Sequence, residues 1–198
     1  MSTLASTISV AETPWTLPPR GRVGMLCLIA GEAAIFTIFV VAYIYYIGKS
    51  LSGPMPGQVL ELPIITTICL LSSSLTIHFA VGALKRGNIG SFRILWFITL
   101  ALGAIFLIGT AREWHRLIYD RGLTISTNLF GTTYYSLVGL HAFHVTVGLV
   151  GLALVMLLSV AGKVLQKNAW QVDVFSLYWH FVDVVWVVVF TVVYVIGR

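Results

Sequence analysis

The sequence predicts an all-α fold, a polytopic membrane helix bundle with five transmembrane helices, and three observations carry that prediction. The chain of 198 residues is 58% hydrophobic and only 10% charged, where a soluble domain carries about 25% charged residues. Five apolar segments are each long enough to cross a bilayer core of about 30 Å, which takes ~20 helical residues. Within those segments the polar residues recur at offsets of three, four and seven, the spacing of one helix face.

The elements follow in order. Residues 1–22 lack the basic start and apolar stretch of a signal peptide and contain Pro14, Pro18 and Pro19 among Ser and Thr; they read as a retained cytoplasmic tail preceding a membrane domain over 23–198. The first span covers 23–48 and ends at the turn-forming stretch SGPMPGQ (52–58). The second covers 62–84 and is followed by KRGNIG (85–90), and the third covers 92–112. Residues 122–162 hold no Asp, Glu, Lys or Arg, too long a run for one span and too short for two with a connection. Their first part, GLTISTNLFG (122–131), is rich in Gly, Ser, Thr and Asn and is assigned to a surface loop, which leaves 132–161 as the fourth span. The fifth covers 174–197. There is no internal repeat.

An odd number of spans puts the termini on opposite sides. With the N-terminus inside, seven basic residues (Arg20, Arg22, Lys85, Arg86, Arg93, Lys163, Lys167) are cytoplasmic and five (Lys49, Arg112, Arg116, Arg121, Arg198) are outside, which favours a cytoplasmic N-terminus in a bacterial-type cell membrane. The formal net charge of +5 is therefore a topology signal, and no nucleic-acid partner is assigned. Cys27 and Cys69 both lie inside apolar runs, so they read as small core residues, not as a disulfide or metal pair.

Polar side chains align on single faces. In the fifth span Asp173, Ser176, His180 and Asp183 form one stripe. The third aligns Trp96, Thr99, Gly103, Phe106, Thr110 and Glu113, the fourth His141, His144, Gly148 and Gly151, and the second Thr67, Ser74 and His78. In the first, Glu32 leads Phe36, Phe39 and Tyr43. Small residues let membrane helices approach and polar ones bond across the contact, so these faces are expected to point inward. His180 and Asp183 are expected within reach of His141, His144 or Glu113.

Two readings compete at each polar residue. His141, His144 and His180 could gather round a metal, but a histidine well inside a span is more often a strut between helices. A haem between two histidines needs ligands from opposite sides, and His141 and His144 share one face; no metal site is assigned. Glu32 has no obvious local partner, and intramembrane carboxyls mark proton or ion routes by default. The alternative is a protonated carboxyl hydrogen-bonded to a neighbouring helix or a lipid headgroup. Trp96, Trp114, Tyr119, Trp170 and Trp179 fall mostly near span ends, where an aromatic belt is the ordinary explanation. No nucleophile with its base, phosphate loop or catalytic carboxylate pair occurs.

LYWHFVDVVWVVVFTVVYVIG (177–197), FGTTYYSLVGLHAFHVTVGL (130–149) and GEAAIFTIFVVAY (31–43) resemble the last helix, the preceding helix with its paired His, and the Glu-bearing helix of subunit III of the haem-copper terminal oxidases. LPIITTICLLSSS (62–74) and AREW (111–114) match more weakly. The chain resembles the short five-helix form. It departs from the pattern in Thr66, where Asn is frequent, and in Ala142, where Gly is frequent between the His pair. Asp173 stands where mitochondrial-type members have Glu, which tilts the reading towards a cytochrome c oxidase over a quinol oxidase.

The resemblance implies a non-catalytic subunit of a proton-pumping oxidase. It lies beside subunit I and near subunit II, with haems and copper held in those partners and none in this chain. It also implies phospholipid bound in a cleft between helices and support for proton uptake and turnover stability. Glu32 would be the carboxyl near the lipid cleft, and His78, Glu113, His141, His144, Asp173, His180 and Asp183 structural polar residues. Alternatives are subunit III of a quinol oxidase, a homologue accompanying nitric oxide reductases and, in another class, a stand-alone proton or ion conductor built around Glu32.

Overall fold

The computed structural model describes residues 20–50 and 53–197. These form α1 (Arg20–Tyr46), a single turn α2 (Pro56–Val59), α3 (Ile64–Lys85), α4 (Ile89–Tyr119), α5 (Leu129–Val160) and α6 (Ala169–Phe190), whose helix continues with π geometry over Thr191–Ile196. Five of them are long and apolar enough to cross a membrane, so the protein is a multi-pass membrane bundle. Residues 1–19 of the expected tail and Arg198 lie outside the described residues, and Arg20–Arg22 already belong to α1.

Backbone chemistry in hydrocarbon explains the helices, because a span must satisfy its own N–H and C=O groups. Their ends are set by local signals. Beyond α3, Gly87 takes φ +77°; its N–H reaches the Leu84 carbonyl and that of Asn88 the Ala83 carbonyl, each at 3.0 Å, the paired bonds of a Schellman stop. Asn88 then caps α4, its side chain accepting from the Ser91 N–H at 3.0 Å, so KRGNIG is a tight hairpin. The same stop ends α5 at Gly162 (φ +73°). Asn128 caps α5 by accepting from the Gly131 N–H at 2.8 Å. Leu129–Gly131, expected in the loop, are thus its first turn. α4 runs seven residues past the expected end at 112, because Arg112–Tyr119 are ordinary helix formers beyond the apolar stretch.

Helix α6 sits at the centre, packed against α1, α3 and α5, while α3 and α4 form an antiparallel hairpin and α4 also meets α5. Half of the most apolar window of the α6 segment is buried, against 6% of that of α1, which lies at the edge. The stripe expected on α4 is interior: Trp96, Thr99, Gly103, Phe106 and Thr110 are all buried. Trp96 and Trp179, expected in an aromatic belt, are instead fully buried, because each indole finds an acceptor across a helix contact. Trp96 Nε1 donates to the Leu152 carbonyl at 2.9 Å and Trp179 Nε1 to Ser73 Oγ at 2.8 Å. Tyr119 and Trp170 remain exposed. Cys27 is exposed and Cys69 only half-buried, so neither is the core residue expected.

Glycines make room for Trp179. A Cβ on Gly103 of α4 or on Gly148 of α5 would lie 2.8 Å from its ring, whereas one on Gly31 meets nothing within 4 Å. Gly148→Ala is therefore expected to destabilise the bundle by about 1–3 kcal/mol, the range for overpacking a core. Gly31→Ala should leave it unchanged or slightly more stable; thermal unfolding of the two variants, followed by retention of the monodisperse peak, measures the difference.

Candidate functional site

The interior polar groups fall into three clusters. The first joins α1 to α5. Glu32 is twelve residues into α1, and its Oε2 lies 3.0 Å from His144 Nε2 on α5. The other ring nitrogen of His144 faces the Leu140 carbonyl at 2.7 Å. A carbonyl only accepts, so Nδ1 carries a proton, and Nε2 and Glu32 share one more: a neutral acid donating to imidazole, or imidazolium donating to carboxylate. The Phe36 ring lies 4.9 Å from the His144 ring, and Tyr178 Oη donates to the His144 carbonyl at 3.2 Å. His144 is 7% exposed and Glu32 29%, so the acid is the member of the pair that looks outward. The absence of a local partner noted from sequence is resolved across 112 residues.

The second cluster joins α6 to α3. Ser74 Oγ lies 3.0 Å from His180 Nδ1 and donates to Asp183 Oδ2. A hydroxyl has one proton, so His180 Nδ1–H donates to Ser74, and Ser74 to Asp183. Trp186 Nε1 donates to Thr67 Oγ1 at 3.1 Å, two turns nearer the start of α3. The stripe of Asp173, Ser176, His180 and Asp183 therefore faces α3, and at its other end Asp173 pairs with Lys85 at 3.1 Å. His78 is exposed, with its ring edge-on to Phe79, so the stripe of Thr67 and Ser74 is inward at those two residues and not at His78.

The third cluster lies near the ends of α4 and α6. Tyr194 donates to Glu113 at 3.0 Å, and Tyr134 of α5 lies 3.3 Å from both Glu113 and Tyr194. Arg116, one turn on, pairs with Glu61 at 2.5 Å.

These contacts correct one expectation: His180 and Asp183 meet Ser74, not His141, His144 or Glu113. Rings separate the clusters. His141 is fully buried, stacked on Trp186 at 4.9 Å and edge-on to Phe106 at 5.7 Å; neither ring nitrogen has a hydrogen-bond partner among the described residues. Both nitrogens of His144 are engaged, and no three His, Cys, Asp or Glu side chains converge among the described residues. Ser74, Tyr134 and Tyr194 were missed as site residues; Ser74 lay on a noted stripe, and nothing in sequence points from either tyrosine to Glu113.

Asp183→Leu removes the acceptor that Ser74 needs and leaves a hydroxyl and an imidazole N–H without their chain. Breaking an intramembrane hydrogen bond costs about 0.6–1.7 kcal/mol, so membrane yield of folded protein should fall by about threefold or more. Asp183→Asn, which keeps an acceptor oxygen, should be spared; quantitative blotting of solubilised membranes distinguishes the two.

Known proteins place these clusters in a family. The family model described as cytochrome c oxidase subunit III matches residues 19–198. Cytochrome c oxidase subunit 3 of Corynebacterium diphtheriae is 39% identical over 185 residues, covering 90% of this chain and 89% of the relative. That of Alkalihalophilus pseudofirmus is 37% identical over 176 residues, 88% of this chain and 85% of the relative. That of Bacillus subtilis is 31% identical over 196 residues, 98% and 95%. With a match across the whole membrane domain, five spans and the polar clusters lying on the matched helices, the chain belongs to the cytochrome c oxidase subunit III family, that of a subunit of haem-copper terminal oxidases.

Proposed function

We propose that this chain is the accessory, non-catalytic subunit III of a proton-pumping oxidase that passes electrons from cytochrome c to oxygen. It would bind directly against subunit I, with subunit II nearby, and the haems and copper would belong to those partners. The observation that carries the reading is the family match over residues 19–198. The cytochrome c donor is supported by the names of the relatives, each a cytochrome c oxidase subunit 3. The accessory role is supported by the way the interior is used. Ser74, His180 and Asp183 bond one another, and so do Glu113, Tyr134 and Tyr194, as struts between helices do.

Glu32 differs from those struts. It is 29% exposed and shares a proton with His144, so unlike the buried struts it opens to the bundle surface, where a phospholipid or a proton donor would meet it. We assign it a lipid- or proton-linked supporting role, with the N-terminus cytoplasmic and the C-terminus on the opposite face of a bacterial-type cell membrane. Exposure of Glu32 also favours a second reading, a stand-alone proton conductor. That reading predicts proton flux from the isolated chain in vesicles and its loss in Glu32→Gln.

Mass spectrometry of chains that co-purify in mild detergent tests the assignment directly. A large partner of many spans, with a second chain carrying a copper motif, is the expected result; recovery of this chain alone as a homo-oligomer would transfer the argument to the conductor. In the assembled complex, Glu32→Gln keeps a donor for His144 Nε2. Its turnover lifetime should shorten by about fivefold or less, the scale of one intramembrane hydrogen bond, with haem content unchanged by absorbance. Loss of haem would contradict the accessory role.

A further inference from the structure

The buried tyrosines differ in what stands opposite their hydroxyls. Tyr135 and Tyr178 donate to the backbone carbonyls of Leu123 and His144, and Tyr43 Oη has no hydrogen-bond partner among the described residues. Tyr134 and Tyr194 instead share a carboxyl group. Tyr194 Oη lies 3.0 and 3.1 Å from the two oxygens of Glu113, Tyr134 Oη lies 3.3 Å from the first of them, and the two hydroxyls are 3.3 Å apart. Both tyrosines are at most 2% exposed. Tyr194 is carried by the π turn of Thr191–Ile196, a departure from α geometry that recurs at functional sites.

This pair is the inner end of an aromatic path. Tyr135 lies against Tyr134 with ring centroids 5.2 Å apart, and Trp114 against Tyr135 at 5.4 Å, both edge-on. Such separations are ordinary for packed rings, and they bring the π systems close enough for an electron to pass between them. Trp114 is half-buried at the surface of the bundle, yet its indole N–H is enclosed and has no partner among the described residues. That difference sets a direction. An indole that loses an electron becomes a cation whose proton has nowhere to go, and a charge in an apolar interior is costly. A phenol that loses an electron while bonded to a carboxylate passes its proton along the hydrogen bond and becomes a neutral radical. The oxidising equivalent therefore falls from Trp114 to Tyr134 and Tyr194.

We propose that Tyr134, Tyr194 and Glu113 form a sink for one-electron oxidation, filled through Trp114 and Tyr135 by lipid peroxyl radicals that reach the bundle surface. In each event an electron leaves Tyr194 and passes by way of Tyr134, Tyr135 and Trp114 to the peroxyl radical. The peroxyl radical is reduced to the hydroperoxide anion, which takes a proton from interfacial water and leaves hydroxide. At the other end the phenolic O–H bond of Tyr194 breaks, its proton forms an O–H bond on the Glu113 carboxylate, and a tyrosyl radical stands beside a neutral acid. Oxidation that would otherwise open the indole ring at the surface is thus moved to a hydroxyl in the interior, where water and other radicals do not reach it. This function goes beyond the accessory role and belongs to side chains of this chain alone.

The test uses the full chain, in whatever assembly it purifies, in nanodiscs of polyunsaturated phosphatidylcholine with a lipid-soluble azo initiator that generates peroxyl radicals. Exposed Tyr45, Tyr46 and Tyr119 are replaced by Phe throughout, so that buried hydroxyls are read. Freeze-quenched samples are examined for a tyrosyl signal by electron paramagnetic resonance, and peptides for ring-opened Trp114 by mass spectrometry. The parent chain should give the signal with little oxidation of Trp114. Tyr134→Phe combined with Tyr194→Phe should remove that signal and shift the oxidation to Trp114. Glu113→Gln keeps an acceptor oxygen but is no base, and should lower the signal by about tenfold, the scale of one hydrogen bond to a charged acceptor. Tyr43→Phe, which removes a buried hydroxyl without an acceptor, should change neither readout. If the paired Phe substitution fails to assemble, Trp114→Phe decides, since it leaves both phenols in place and should lose the signal with its entry point. An undiminished signal in the paired Phe, Trp114→Phe or Glu113→Gln variants, or equal oxidation of Trp114 with and without the two phenols, would overturn the proposal.

Discussion

The indole of Trp179 is the contact around which the bundle closes. Its N–H donates to Ser73 on α3, and its ring fills space that Gly103 on α4 and Gly148 on α5 leave empty. One side chain on the central helix thus touches three others. Water does not compete for the N–H in hydrocarbon, and close packing replaces the hydrophobic effect as the force between helices. The remaining contacts are arranged about this one: Trp186 repeats the donation to α3 two turns on, and Trp96 links α4 to α5.

Given that packing, the polar groups have few places to go. Those on α6 face α3, where Ser74 relays from His180 to Asp183. Those at the start of α5 and towards the ends of α4 and α6 collect at Glu113. The pair of Glu32 and His144 lies towards the edge because α1 is the least buried span. Individual hydrogen bonds in a membrane are worth about 0.6 kcal/mol on average, so no one of them holds the fold. Their role is registry, since sliding α6 past α3 by a turn would leave Ser74, Thr67 and two indoles without partners.

The candidate site was legible only in part. Glu32 stood out because a carboxyl in an apolar run is costly wherever it is placed. Its partner did not, because His144 belongs to a helix more than a hundred residues away and has two faces to offer. The paired His looked equivalent in sequence; in space His144 is bonded at both nitrogens and His141 lies between rings with neither bonded. Belt tryptophans and core tryptophans likewise share a position near span ends, and only the presence of an acceptor on a facing helix separates Trp179 from Trp170.

The sequence by itself determined the all-helical class, the five spans to within several residues, the buried stripe of α4 and membership of a family. These depend on local composition and on a period of 3.6 residues, both of which are present along the chain. Tertiary structure alone decided which stripe faces which, and that Ser74 stands between His180 and Asp183. The reason is geometric. Periodicity states that a helix has an inward face, but its rotation, depth and neighbour are set by how side chains of several helices fill a shared volume.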